Sequence, residues 1–266
     1  MADSLSYRQN IDALNSADLQ QFRTGIAKAL SISDNRGYEY FAGMHGIPQN
    51  LCHHHDNLFL PWHRAYLYTL ELSFRDLYPG FTLAYWDWTS PPAQAQGLPA
   101  AYTAATDSTG QPNPLLTAPA NIPQAQITQL QNDPQSSHAL DFSADPPMTV
   151  REPDQPSGLP TADQLQQIVQ TSNTFLDFSR RLEDVHDGVH VWVGGTMSLI
   201  PTAAYDPVFW AHHTMIDRAW YLWQVAHPGA TVPSSILHSA LRGFTLTVAD
   251  TLDINHLGYE YVLKAA

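Results

Sequence analysis

The chain has 266 residues, of which 25 are Asp or Glu and only 12 are Lys or Arg, giving a formal net charge of -13. That balance argues against nucleic acid or an anionic membrane surface as a partner, and no run of about 18 uncharged apolar residues suggests a membrane span. The single cysteine excludes an intramolecular disulfide, while 44% apolar residues and seven Trp suffice to fill one sizeable core. One domain over residues 1–266 is expected. The opening MADSLSYRQN has no basic start followed by an apolar run, so a cytoplasmic location is expected as well.

Apolar residues first recur at helical spacing over 17–31. His45 ends a second expected helix, stopped by Gly46 and Pro48. The segment CHHHDNLFLPWHR, residues 52–64, concentrates imidazole beside Cys52, and Pro61 suits the first turn of a helix carrying His63. That helix, 63–78, presents Tyr66, Leu67, Leu70, Phe74 and Leu77. FTLAYWDW at 81–88 reads as a strand, and 89–160, rich in Pro, Ala, Gln, Ser and Thr, as a long irregular surface excursion. A continuous stripe of Phe175, Phe178, Leu182, Val185 and Val189 marks a helix over 161–191, ended by Gly194-Gly195. Asp206-Pro207 opens the next, 208–225. FTLTV at 244–248 reads as a short strand, and the fold as mainly helical.

His186 and His190 lie four apart on one helix face, close enough to reach one metal ion, with Glu183 projecting from the same face. His212 and His213 are adjacent, about 100° apart on a helix, so one of them at most is a ligand of that ion. Asp217, four beyond His213, is placed to hold the ligand's other ring nitrogen or to pair with Arg64 or Arg218. His54 and His63 are nine apart and would face opposite ways on a continuous helix, so a shared ion requires His54 on the preceding loop. No Glu-x-x-His repeat supplies oxygen ligands as in dinuclear iron bundles. All-nitrogen sites suit copper or zinc, and less clearly iron or nickel.

Two longer signatures narrow the choice. His54, Phe59, Trp62, His63, Arg64 and Glu71 match H-x4-F-x-x-W-H-R with its following Glu, and Asp206, Pro207, Phe209, Trp210, His213 and Asp217 match D-P-x-F-W-x-x-H-x3-D. The chain resembles the type-3 copper family of tyrosinases, catechol oxidases and molluscan haemocyanin units. The resemblance implies a four-helix-bundle core with long irregular loops and a few short strands. It places one copper ion on His45, His54 and His63 and a second on His186, His190 and His213. His53 and His55 are then flanking loop residues, His212 lines the entrance, and His138, His227, His238 and His256 are exposed or satisfied within the core. Cys52 and His54 have the Cys-x-His spacing of the fungal thioether link. Tyr259 and Tyr261 resemble the motif that closes the catalytic domain, expected to pack near Arg8, with no C-terminal shielding domain following.

With two copper ions as cofactor and O2 as co-substrate, the resemblance implies oxidation of o-diphenols or o-aminophenols to o-quinones, together with ortho-hydroxylation of monophenols. Glu183 is the expected base. Asp187 stands where good hydroxylators have Asn; a second carboxylate there would raise one of the two pKa values and repel carboxylate-bearing substrates. Ile200 falls above the first copper ion and is small enough to admit a phenol ring. Val191 offers a substrate carboxylate no positive charge, so simple phenols should be preferred to tyrosine. Small phenolic substrates and a copper-delivery protein are the expected partners. The rival readings are a haemocyanin-like O2 carrier, a copper-binding protein without turnover, and a zinc hydrolase based on HDGVH, which would leave the first histidines idle.

Overall fold

A side-chain acceptor marks the start of the first long helix. In the computed structural model, which describes residues 5–262, strand β1 (Ser6–Arg8) is followed by helix α1 (Ser16–Leu30), capped by Asn15, whose side chain accepts from the Ala17 and Asp18 N–H groups. Helices α2 (Tyr38–His45) and α3 (Phe59–Leu77) come next. Short helices α4 (Pro91–Gln96), α5 (Ala100–Thr103) and α6 (Gln124–Asn132) and an antiparallel pair, β2 (Leu140–Asp141) with β3 (Met148–Thr149), occupy the Pro-rich stretch. Helices α7 (Ala162–Thr171), α8 (Phe175–Val193), α9 (Pro207–Ala226) and α10 (Ser234–Leu237) precede β4 (Tyr259–Tyr261).

Three expectations are corrected. The helix expected over 161–191 is two: a Thr161–Gln164 capping box starts α7, and Thr174 caps α8 by accepting from Asp177 N–H. A second cap restarts the helix in a new direction even though the apolar stripe runs through the break. FTLAYWDW and FTLTV are not strands: each makes one isolated bridge, Asn10 with Tyr85 and Ala240 with Thr247, and 244–248 otherwise bends and turns. The Pro-rich excursion is stitched inward, with Tyr102, Leu115, Ala120 and Leu140 buried. Its Arg151 grips both carboxylate oxygens of Asp206, the residue whose side chain caps α9 through the Val208 N–H.

Helices α2, α3, α8 and α9 form the bundle at the centre. Trp210 of α9 meets Tyr38 of α2 edge-on at 5.8 Å and lies 5.0 Å from Tyr66 of α3, while Phe178 of α8 stacks on Trp223 of α9 at 4.9 Å. β1 pairs in parallel with β4, Ser6 opposite Tyr259 and Arg8 opposite Tyr261. This brings Arg8, fully buried, onto Glu71 and Asp217, with its guanidinium 3.5 Å from the Tyr259 ring centre. Asp217 also accepts from Arg64, Tyr259 and Tyr261, so it pairs with Arg64 and not with a ligand imidazole. Among the described residues no helix is long and apolar enough to cross a membrane.

Candidate metal centre

Helices α2, α3, α8 and α9 each deliver imidazole to one place from a buried face. His45 ends α2, His63 lies one turn into α3, His186 and His190 share the inner face of α8, His213 comes from α9, and His54 from the loop before α3. Ring nitrogens of His45, His54 and His63 lie within 4.8 Å of one another. The rings of His63 and His213 stack at 4.5 Å, joining this triad to the second.

Hydrogen bonds at the outer ring nitrogens fix which nitrogen faces inward. Nδ1 of His63 donates to the Phe59 carbonyl at 2.8 Å, that of His190 to the Met197 carbonyl at 2.8 Å, and that of His45 to the Ile200 carbonyl at 3.3 Å. His186 Nδ1 lies 2.9 Å from the Asp187 carboxylate. Carbonyls and carboxylates only accept, so in these four rings the proton is on Nδ1 and Nε2 carries a lone pair. The Nε2 atoms of His45 and His63 are buried with no protein partner. His213 Nε2 lies 3.2 Å from both His186 Nε2 and His190 Nε2. Ligands about 2.0–2.1 Å from a tetrahedral ion lie about 3.3 Å apart. Buried lone pairs converging at that spacing suit a cation, and an all-imidazole donor set suits copper.

Charge reinforces the arrangement. Burial, then mutual repulsion, holds His45, His63, His186 and His213 well below the usual imidazole range. Burial lowers His54 and His190 to about 4. All six rings are therefore neutral near pH 7, the form that binds metal.

His212 does not line the entrance. It is 0% exposed because α9 is packed on every side at this level, so both adjacent positions are interior. Its ring stacks on His186 at 5.1 Å, and one of its nitrogens comes within 4.8 Å of those of His186 and His190. His213 Nε2 meets both His186 and His190 at 3.2 Å, whereas neither nitrogen of His212 is within hydrogen-bonding reach of another side chain, which favours His213 as the ligand of the adjacent pair.

A cavity of about 260 Å3 opens onto the centre, floored by His45, His54, His186 and His190 and walled by Val191 and Ile200. Val191 is 70% and Ile200 44% exposed. Ile200 is held there because Gly46 lets the 200–201 backbone pass closely: a Cβ on Gly46 would stand 2.1 Å from the Pro201 carbonyl oxygen. Asp187 lines the rim, and its carboxylate also orients His186. Glu183, 3% exposed, accepts the His55 backbone N–H at 2.6 Å. Burial lifts its pKa to about 7, with a smaller contribution from Asp187. The Asp187 pKa is raised too, mainly by burial, with no contribution from Glu183, so of the two carboxylates it is Glu183 that the other raises.

His55, expected as a flanking loop residue, is one that also reaches the cavity. Its backbone turns into the left-handed region at φ 55, and its ring lines the cavity, 4.0 Å from Glu183 and 3.9 Å from Asp187. Three consecutive histidines were the only signal for it. Cys52 is partly buried, and burial raises its thiol to about 11.

The chain is similar to known proteins in sequence and fold. The model of the common central domain of tyrosinase matches residues 35–226. An A-type haemocyanin of Enteroctopus dofleini is 25% identical over 287 residues, 96% of this chain and 21% of that protein. A tyrosinase of Podospora anserina is 26% identical over 274 residues, 76% of this chain and 47% of that protein. The chain thus spans less than half the length of either relative. The structure of a functional unit from octopus haemocyanin superposes with a TM-score of 0.78 at 25% identity, covering 96% of this chain and 68% of that one. Both triads lie within residues 35–226, the span the family model matches, and the chain belongs to the tyrosinase central-domain family.

Proposed function

We propose that the chain is a type-3 copper oxidase that uses O2 to oxidise o-diphenols and o-aminophenols, and that also hydroxylates monophenols at the ortho position. The observation that carries this reading is the open cavity. About 260 Å3 lined by apolar walls over the ligand rings is far more than access for O2 requires, and it suits a single aromatic ring. His45, His54 and His63 would hold one copper ion and His186, His190 and His213 the other, and the pair when bound would supply the redox couple between O2 and the phenol, two diphenols giving two electrons each for every O2 reduced to water.

The protein's own groups orient the substrate and manage protons. Val191 and Ile200 leave the ring a path past the rim, and the apolar wall excludes water from its face. Glu183, with its pKa pushed up to about 7, is matched to accept a phenol proton near neutral pH, directly or through one water. Asp187 and the His55 ring share that rim, and the absence of Lys and Arg among the cavity residues favours neutral phenols over tyrosine. A Cys52–His54 thioether would tether the one ligand that lacks helical support.

The rival reading is an oxygen carrier, since at nearly equal identity the haemocyanin match covers 96% of this chain and the tyrosinase match 76%. Oxygen consumption by the copper-loaded protein with catechol, 2-aminophenol and phenol in parallel separates the two. An oxidase consumes O2 continuously with the first two and, if hydroxylation holds, with phenol. A carrier takes up one O2 per copper pair and stops.

A further inference from the structure

Five of the six ligand rings are fixed by helices or their ends, whereas His54 is on an irregular loop. The groups that hold that loop come from a distant part of the chain. Arg242 donates its Nε–H to His53 Nε2 at 3.0 Å and an Nη2–H to the Cys52 carbonyl at 3.1 Å. His53 Nδ1 lies 2.6 Å from Asp56 Oδ2, and Asp56 Oδ1 accepts the Leu58 N–H at 2.8 Å, at the start of α3. A guanidinium only donates, so His53 Nε2 accepts and its Nδ1–H donates to Asp56. A neutral imidazole thus bridges a cation and an anion on either side of the ligand.

Arg242 is itself anchored. Its carbonyl accepts the Trp62 indole N–H at 2.9 Å, and Ala240 bridges Thr247 to close the turn. Next to it Gly243, at φ 87, lies so close to α2 and the loop that a Cβ would stand 2.8 Å from Met44 and 2.9 Å from Leu51. The 240–247 turn therefore bears on both sides of the first triad, while the second triad takes its support from α8, α9 and the Met197 carbonyl.

We propose that Arg242, His53 and Asp56 are positioning residues that clamp the His54 loop, making copper retention at the first site, and not at the second, depend on the 240–247 turn. This rests on His45, His54 and His63 being the ligands of the first copper ion. None of the three clamp residues touches the metal or the substrate cavity. Because they are partly solvent-exposed, their bonds add little to global stability, and their effect is read in the metal.

The test uses copper-loaded full-length chain, wild type and the variants R242A, H53A and H53Q, dialysed against a graded chelator series. Copper per chain is counted, and the EPR spectrum of the oxidised protein is recorded. Wild type should retain two copper ions. R242A and H53A should lose one of them at about 10- to 100-fold lower chelator concentration. The EPR signal of an isolated Cu(II), near one spin per chain, should appear as they do. H53Q should retain two, since its amide oxygen can accept from Arg242 while its NH2 donates to Asp56. Retention of both ions by R242A and H53A at wild-type chelator concentrations overturns the proposal, as does simultaneous loss of both ions. A wild-type chain that never binds a copper pair overturns the ligand assignment, and the clamp with it.

Discussion

Lowering the pH of the metal-free protein from 7 to 5 should cost it much of its stability. Burial holds His54 and His190 at about 4, whereas an imidazole in an unfolded chain takes up its proton near about 6.5. Between those values the unfolded chain binds the extra proton, so the stability present above 6.5 is lost as the pH falls toward 4. From pH 7 to 5 that loss is about 2 kcal/mol per ring, or about 4 kcal/mol for the two. His45, His63, His186 and His213 are shifted the same way and add to it. Glu183 opposes them. Its folded pKa of about 7 is above the ordinary 4.5, so the folded chain binds its proton first and gains stability as the pH falls. Over the same interval that gain is about 2 kcal/mol. Urea unfolding followed by circular dichroism at pH 7, 6 and 5 reads the net slope. Wild type should weaken by several kcal/mol, E183Q should fall more steeply by about 2, and H54A less steeply by about 2. A wild-type stability that is flat across this range, or an E183Q slope shallower than wild type, would refute the picture of neutral rings massed in a dry interior.

Three further outcomes follow from the packing. Arg8→Ala strips the buried Asp217 and Glu71 of a shared cation and should destabilise by about 3–5 kcal/mol in urea unfolding; a loss below about 1 kcal/mol would mean the cluster is solvated. His213→Gln should lower bound copper from two ions to one, while His212→Gln keeps both; the reverse pattern would move the ligand to its neighbour. Removing the rim charge with Asp187→Asn should lower KM for a phenol bearing a carboxylate by about fivefold, roughly 1 kcal/mol. KM for unsubstituted catechol should be unchanged, and an equal change in both would show that Asp187 acts through His186 alone.

How far the sequence speaks for this molecule depends on the range of the interaction. The i, i+4 spacing of His186 and His190, the Asp206-Pro207 helix start and the Gly194-Gly195 stop are local, and each is where the pattern puts it. The break between α7 and α8 was hidden because the apolar stripe resumes almost in phase, and only the caps at Thr161 and Thr174 reveal two helices. The strand-like 81–88 finds no ladder partner beyond Gln9 and Ile11, whose backbones bond to Tyr85. Placement of His55 at the rim depends on a left-handed turn and on the position of α8, and burial of His212 depends on neighbours on all sides of α9. The Ile200 and Met197 carbonyls that orient His45 and His190 belong to backbone, which carries no residue-type signal.

The pairing of β1 with β4 has a consequence for synthesis. Arg8 is made before Tyr259 and Tyr261, yet the aromatic lid over its guanidinium is Tyr259, and the hydroxyls of Tyr259 and Tyr261 complete the donors to Asp217. A nascent chain short of these residues holds a charged knot beneath the bundle that water can still reach. The segment that seals it stands 253 residues from Arg8 along the chain, so this buried charge cluster closes only by a contact between remote parts of the sequence.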